Sequence, residues 1–142
     1  MPVKSADAVW NGTLTEGKGH LTSQSRVLDA DYGWKSRAEE APGTNPEELI
    51  AAAHAGCFSM AFSHILTGAG FPPEQIKTSA HVTFEKQGDG FAITKILLKT
   101  EARIPKIDEA TFQKHADAAK NGCPVSKALA SVPMTLEAKL AG

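Results

Sequence analysis

The stretch "NPEELIAAAHAGCFSMAFSHILTGAG", residues 45–70, constrains the fold more than any other part of the chain. Asn45 stands where an N-cap is wanted, Pro46 suits the first helical position, and Glu47 and Glu48 put negative charge in the first turn. Gly68, Gly70, Pro72 and Pro73 come together, so the spacing predicts a helix from residue 46 to about residue 67. Leu49, Ile50, Ala51 to Ala53, Ala55, Gly56, Phe58, Met60, Ala61, Phe62, Ile65 and Leu66 make it apolar or small on nearly every face. A helix apolar all round belongs inside a protein. The chain's 142 residues suit one domain, 1–142, which has difficulty covering such a helix on all sides. Its small residues let another backbone approach closely, so a partner helix is expected, from a second copy of the chain.

The rest of the chain is organised around that helix. "ADAVWNGTLTE", a "GKG" turn at 17–19, "HLTSQSRVL" and a short "YGWKS" read as an N-terminal meander of strands. "IKTSAHVTFEK" and "FAITKILLKTEARI", joined by "QGDG", read as a long hairpin. "DEATFQKHADAAKNG" has helical spacing with Ala110, Phe112, Ala116 and Ala119 inward. A second helix starts at "CPVSKALAS", with Cys123 as N-cap and Pro124 as first helical residue, and "PMTLEAKLA" alternates as a closing strand. This order predicts an α+β fold with antiparallel sheet.

Charge says little about partners. Fifteen Lys and Arg against 16 Asp and Glu give a net charge of -1, so nothing in the balance points to nucleic acid or to an anionic membrane. The N-terminal "MPVKSADAVWNGTL" lacks a secretory apolar core, and the long apolar segment carries Glu47, Glu48, His54 and His64, so a soluble, cytoplasmic protein is expected. Two cysteines, at 57 and 123, fit neither a disulfide-dense scaffold nor a CxxC motif.

The two thiols differ in setting. A side chain at a helix N-cap faces unpaired N–H groups and the positive end of the dipole, so Cys123 is the easier thiol to ionise. Cys57, in mid-helix among apolar groups, is raised in pKa unless a cation sits over it. Either residue also reads as a small packed hydrophobe. His54 and Cys57 lie one turn apart, and His64 and Cys123 could add metal ligands, but a second tight ligand pair is missing. Ser59 and Ser63 sit inside the helix with no G-x-S-x-G elbow, and His20, His81 and His115 carry no motif.

"GTNPEELIAAAHAGCFSMAFSHIL" at 43–66 and "CPVSKAL" at 123–129 resemble the OsmC/Ohr family of organic hydroperoxide reductases, in its OsmC branch, and the order of elements matches that family along the whole chain. The resemblance implies an intertwined homodimer, antiparallel sheets wrapped around long central helices. It implies a thiol-dependent peroxidase in which Cys57 is the peroxidatic cysteine and Cys123 the resolving one. It also implies that "WKSRAEE" holds the active-site arginine, Arg37, and that Glu47 is the carboxylate holding it. Read without the resemblance, Arg37 is a solvated charge beside Glu39 and Glu40, and Glu47 a first-turn carboxylate facing the dipole, with Glu48 its neighbour.

The N-cap argument favours Cys123 as thiolate, whereas the resemblance gives the first attack to Cys57, so Arg37 has to supply the cation. Glu47 and Cys57 lie roughly 15 Å apart along one helix and about 80° around it, so they do not touch within it. The carboxylate acts through Arg37 or comes from the partner's helix. The implied cycle runs through a Cys57 sulfenic acid and a Cys57–Cys123 disulfide, reopened by a dithiol such as a dihydrolipoyl group on a carrier protein, with no cofactor or metal. Composition and family together make Phe58, Met60 and Phe62 an apolar wall favouring alkyl or lipid hydroperoxides, against ordinary core packing for each. Two other classes stand against this reading: a dimeric module that binds an apolar ligand or senses oxidants without turnover, and a metal-bound structural protein using His54, Cys57 and Cys123.

Overall fold

The computed structural model describes residues 2–141 and divides into two compact units, residues 1–49 and 50–142. In the first, strands β1 (Ala6–Asn11), β2 (Lys18–Ser23) and β3 (Asp29–Tyr32) form an antiparallel sheet in the order β1-β2-β3. The register sets Gly19 between Trp10 and Tyr32, whose rings lie 5.5 Å apart. A Cβ at Gly19 would run into both rings, so the glycine is what lets them close over the strand. Residues 18 and 19 belong to β2, so the turn expected at 17–19 falls earlier, closed by the Gly17 N–H donating to the Thr13 carbonyl at 2.7 Å.

Of "YGWKS" only Tyr32 is in a strand, as the end of β3. Residues Trp34–Ala38 form a short helix, α1. The reason lies in Ser36, whose hydroxyl accepts from the Gly33 N–H at 3.0 Å and donates to the Thr44 carbonyl at 2.8 Å, folding the chain back before alternation can continue. Asn45 then ties the two helix starts together. Its Nδ2 donates to the Ser36 carbonyl at 2.9 Å while its Oδ1 accepts from the Glu48 N–H at 2.8 Å, capping helix α2 (Pro46–Gly68).

The second unit contains most of α2, strands β4 (Gln75–Gln87), β5 (Gly90–Arg103) and β6 (Met134–Leu140), and helices α3 (Glu109–Gly122) and α4 (Pro124–Ala128). β4 and β5 form the long antiparallel hairpin, with a register shift at Thr83/Phe84. β6 pairs with β5 in parallel, which corrects the expectation of a purely antiparallel sheet. Two helices lie between β5 and β6, and a crossover of that length returns the chain to run alongside β5 in the same direction.

The core of this unit is built from three stripes. α2 contributes Phe58, Phe62 and Leu66, β5 contributes Leu98 and Ala102, and α3 contributes Phe112, Ala116 and Ala119. Phe62 stands between Phe58 and Phe112 at ring separations of 5.6 and 5.7 Å. Ala110, expected to face inward, is exposed, because the buried stripe of α3 starts at Phe112 and repeats at 116 and 119.

Candidate active site

Two thiols from different helices meet in the second unit. α2 carries Cys57 on the turn after His54, and the Cys-Pro start of α4 sets Cys123 as its N-cap. Their sulfurs lie 2.8 Å apart, hydrogen-bonded, with Cys123 donating while both are protonated, and both are free thiols. A disulfide needs about 2.05 Å between sulfurs, so a small side-chain movement separates this contact from a bond.

Access to the two differs. Cys123 is fully buried, whereas Cys57 is partly exposed. Their acidities run the other way. Burial and the hydrogen bond with Cys123 push the Cys57 thiol up. Burial pushes the Cys123 thiol up too, but the bond to Cys57 and the N–H and hydroxyl groups at Ser126 outweigh it, and the net direction is down. When the first of the two ionises, the charge settles on Cys123, as its N-cap position predicts.

A second polar bridge joins the same two helices. The His54 Nε2 and the Ser126 Oγ are 2.8 Å apart in a buried setting, and burial lowers the pKa of the imidazole. Ser126 escaped the sequence reading. The available signal was the matching offset in "HAGC" and "CPVS", which sets a polar group one turn from each thiol. His54 is thus committed to Ser126, and among the described residues no group of three His, Cys, Asp or Glu side chains is gathered to hold a metal ion. Ser59 is likewise engaged, donating to the Ala55 carbonyl and bonded to Thr78.

In the first unit, Arg37 and Glu47 form a bidentate pair, with Arg37 Nε donating to Oε1 at 3.0 Å and Nη2 to Oε2 at 2.9 Å. α1 presents the guanidinium and the first turn of α2 presents the carboxylate. Glu47 is buried while the Arg37 side chain keeps 34% of its exposure, so the guanidinium is fixed from its buried side by a two-point, charge-assisted grip. The neighbouring Glu48 is exposed and accepts from the Thr44 hydroxyl instead. Arg37 lines a hollow of about 280 Å³ with Trp10, Leu14, Tyr32 and Trp34.

The apolar wall expected from Phe58, Met60 and Phe62 does not form. Phe58 and Phe62 are fully buried in the core, and Met60 points away from them, 76% exposed. Helical geometry explains the split, since 58 and 62 share a stripe and 60 lies about 160° from it.

The family model described as "OsmC-like protein" matches residues 38–137. The chain is 49% identical over 138 residues to the protein named "Peroxiredoxin OsmC" of Escherichia coli, covering 96% of both chains. It is 32% identical over 124 residues to "Organic hydroperoxide resistance protein OhrB" of Bacillus subtilis, covering 85% of this chain and 89% of that one. The crystal structure of that OhrB protein superposes with a TM-score of 0.71, covering 95% of this chain and 98% of the other at 31% identity.

Proposed function

This chain belongs to the OsmC-like protein family, and from that premise we propose that it is a thiol peroxidase reducing organic hydroperoxides to alcohols, with Cys57 as the attacking residue and Cys123 as the resolving one. The observation that carries the reading is the pair of free sulfurs 2.8 Å apart, of which one alone is open to a substrate. Access selects Cys57 for the first step although Cys123 is the more acidic of the pair. The proton passes from Cys57 to Cys123 across the short contact, which frees the Cys57 thiolate.

The Cys57 sulfur attacks the terminal oxygen of the hydroperoxide, the O–O bond breaks, and the alkoxide leaves and takes a proton to become the alcohol. Cys57 is then a sulfenic acid. Cys123 condenses with it, releasing water and closing a disulfide, and an external dithiol such as a dihydrolipoyl group reopens that disulfide by exchange. Arg37, held as a rigid cation by Glu47, polarises the peroxide and steadies the leaving alkoxide. The aromatic hollow beside it has the mixed character that an organic hydroperoxide presents, and the names of the relatives support the same substrate class.

We further propose that the working form is a homodimer. α2 is long and apolar enough to cross a membrane, yet its buried residues, Glu47, His54, Phe58, Phe62 and Leu66, form one stripe. Ala52, Gly56 and Met60 repeat along an exposed stripe of small and apolar residues that ends at His64, suited to a second copy. Two cysteines, without the pattern of a disulfide-dense scaffold, suit a reducing compartment, the cytoplasm.

The test is consumption of cumene hydroperoxide with a lipoyl dithiol, hydrogen peroxide being run in parallel. Wild type turns over many times and prefers the organic peroxide, Cys57→Ser does not react, and Cys123→Ser stalls after one turnover. Failure of wild type with every dithiol would return the fold to a ligand-binding or oxidant-sensing module.

A further inference from the structure

Arg37 and Glu47 sit on different helices, and a third side chain fixes the two backbones against each other. Asn45 Oδ1 accepts from the Glu48 N–H at 2.8 Å, and its Nδ2 donates to the Ser36 carbonyl at 2.9 Å. The Glu48 N–H belongs to the peptide unit that leaves Glu47, and the Ser36 carbonyl to the peptide unit that enters Arg37. One planar amide therefore grips the backbone beside both members of the ion pair. Ser36 returns the grip, its hydroxyl donating to the Thr44 carbonyl, in the peptide unit that enters Asn45, at 2.8 Å. Ser36 and Thr44 are buried and Asn45 is half-buried.

Capping α2 does not account for this arrangement. Asn, Asp and Ser cap helices about equally well, and a cap needs only an acceptor. Of the three, asparagine alone carries an acceptor and a donor on separate atoms. Its donor is turned to α1, outside the helix it caps. The two-point grip of Arg37 on Glu47, at 3.0 and 2.9 Å, asks for such a brace, because a planar fork meets both carboxylate oxygens only from one direction.

We propose that Asn45 is a positioning residue for the Arg37–Glu47 pair: its amide sets the spacing of the two backbones, and with it the aim of the guanidinium at the peroxide. The brace itself is independent of the reaction; its consequence for turnover rests on the peroxidase reading above. Asn45 acts through Arg37 and touches no substrate.

The test separates bracing from capping. Asn45→Asp keeps the size of the side chain and the acceptor for the Glu48 N–H, and sets a second acceptor against the Ser36 carbonyl. Its urea midpoint is expected to stay near that of wild type, while kcat/KM for cumene hydroperoxide falls about tenfold, as for a misplaced catalytic group. Asn45→Ser, which also caps but adds no charge, is expected to show the same loss. In an Arg37→Ala background Asn45→Asp lowers kcat/KM no further, because the group it positions is gone. A merely structural role would give the same loss in both backgrounds. Such an additive loss, or wild-type kcat/KM in both Asn45 variants, overturns the proposal. A second measurement needs no peroxide: phenylglyoxal modification of Arg37, followed by peptide mapping with the exposed Arg26 as internal standard, is faster in Asn45→Asp than in wild type. An unchanged rate overturns the brace. Failure of wild type to consume peroxide would sink the peroxidase reading instead, while the mapping still judges Asn45.

Discussion

At the scale of single residues, acidity and access are divided between two sulfurs in contact. Cys123 is easier to ionise and sealed; Cys57 is harder to ionise and open. The N-cap position of Cys123 was legible in "CPVS" because a cap is a local arrangement. The contact with Cys57 was not derivable from the residues, since it is set by how α4 returns to α2, and only the family resemblance pointed to it. Removing Cys57 tests the electrostatics. In Cys57→Ala the hydrogen bond that lowers Cys123 is lost while its burial remains, so its pKa rises and the thiolate absorbance at 240 nm appears at higher pH. A fall in that pKa would contradict the account. Arg37 gives a second prediction: Arg37→Ala lowers kcat/KM for cumene hydroperoxide by about a hundredfold or more, the usual effect of losing a preorganised charge donor. Arg37→Lys recovers little of it, because an ammonium does not reproduce the two-point grip on Glu47.

At the scale of elements, α2 was the easiest to read and the easiest to misread. Its start and stop were marked by Asn45 with Pro46 and by the glycines and prolines after residue 67, and they hold to within a residue. Which of its apolar residues face the core could not be read, because a helix apolar all round carries no period. Phe58 and Phe62 were therefore available to the substrate wall in sequence and are core in the structure. The direction of β6 was hidden for a related reason: alternation tells which face is buried and not which way a strand runs. α1 was missed because five residues are too few for a period, and its cause is the hydroxyl of Ser36. The core assignment predicts that Phe62→Ala costs about 3–5 kcal/mol of stability, measured by urea unfolding, since a fully buried ring between two others is removed. A cost below about 1 kcal/mol would place Phe62 outside the core.

At the scale of the whole molecule, the covering problem raised by the sequence persists in the chain, with Met60 largely exposed in the middle of an apolar helix. Gly56 discriminates between a solvated and a paired helix face. A Cβ there meets nothing within 4 Å in the single chain, so a larger residue would be tolerated or would favour the helix. In a dimer closed along this stripe, Gly56→Leu wedges the helices apart. Sedimentation is expected to show wild type as a dimer and Gly56→Leu shifted to monomer; an unshifted dimer would move the interface elsewhere.

The central claim is that Cys57 and Cys123 together give up the two electrons that reduce one organic hydroperoxide. Its most direct test is a single-turnover titration: fully reduced protein, no added reductant, and increments of cumene hydroperoxide, with free thiols and cumyl alcohol counted at each point. The account predicts that each equivalent of peroxide removes two thiols per chain, yields one equivalent of alcohol and leaves a Cys57–Cys123 disulfide in the peptide map. Full retention of both thiols after an equivalent of peroxide, with no alcohol formed, would contradict it.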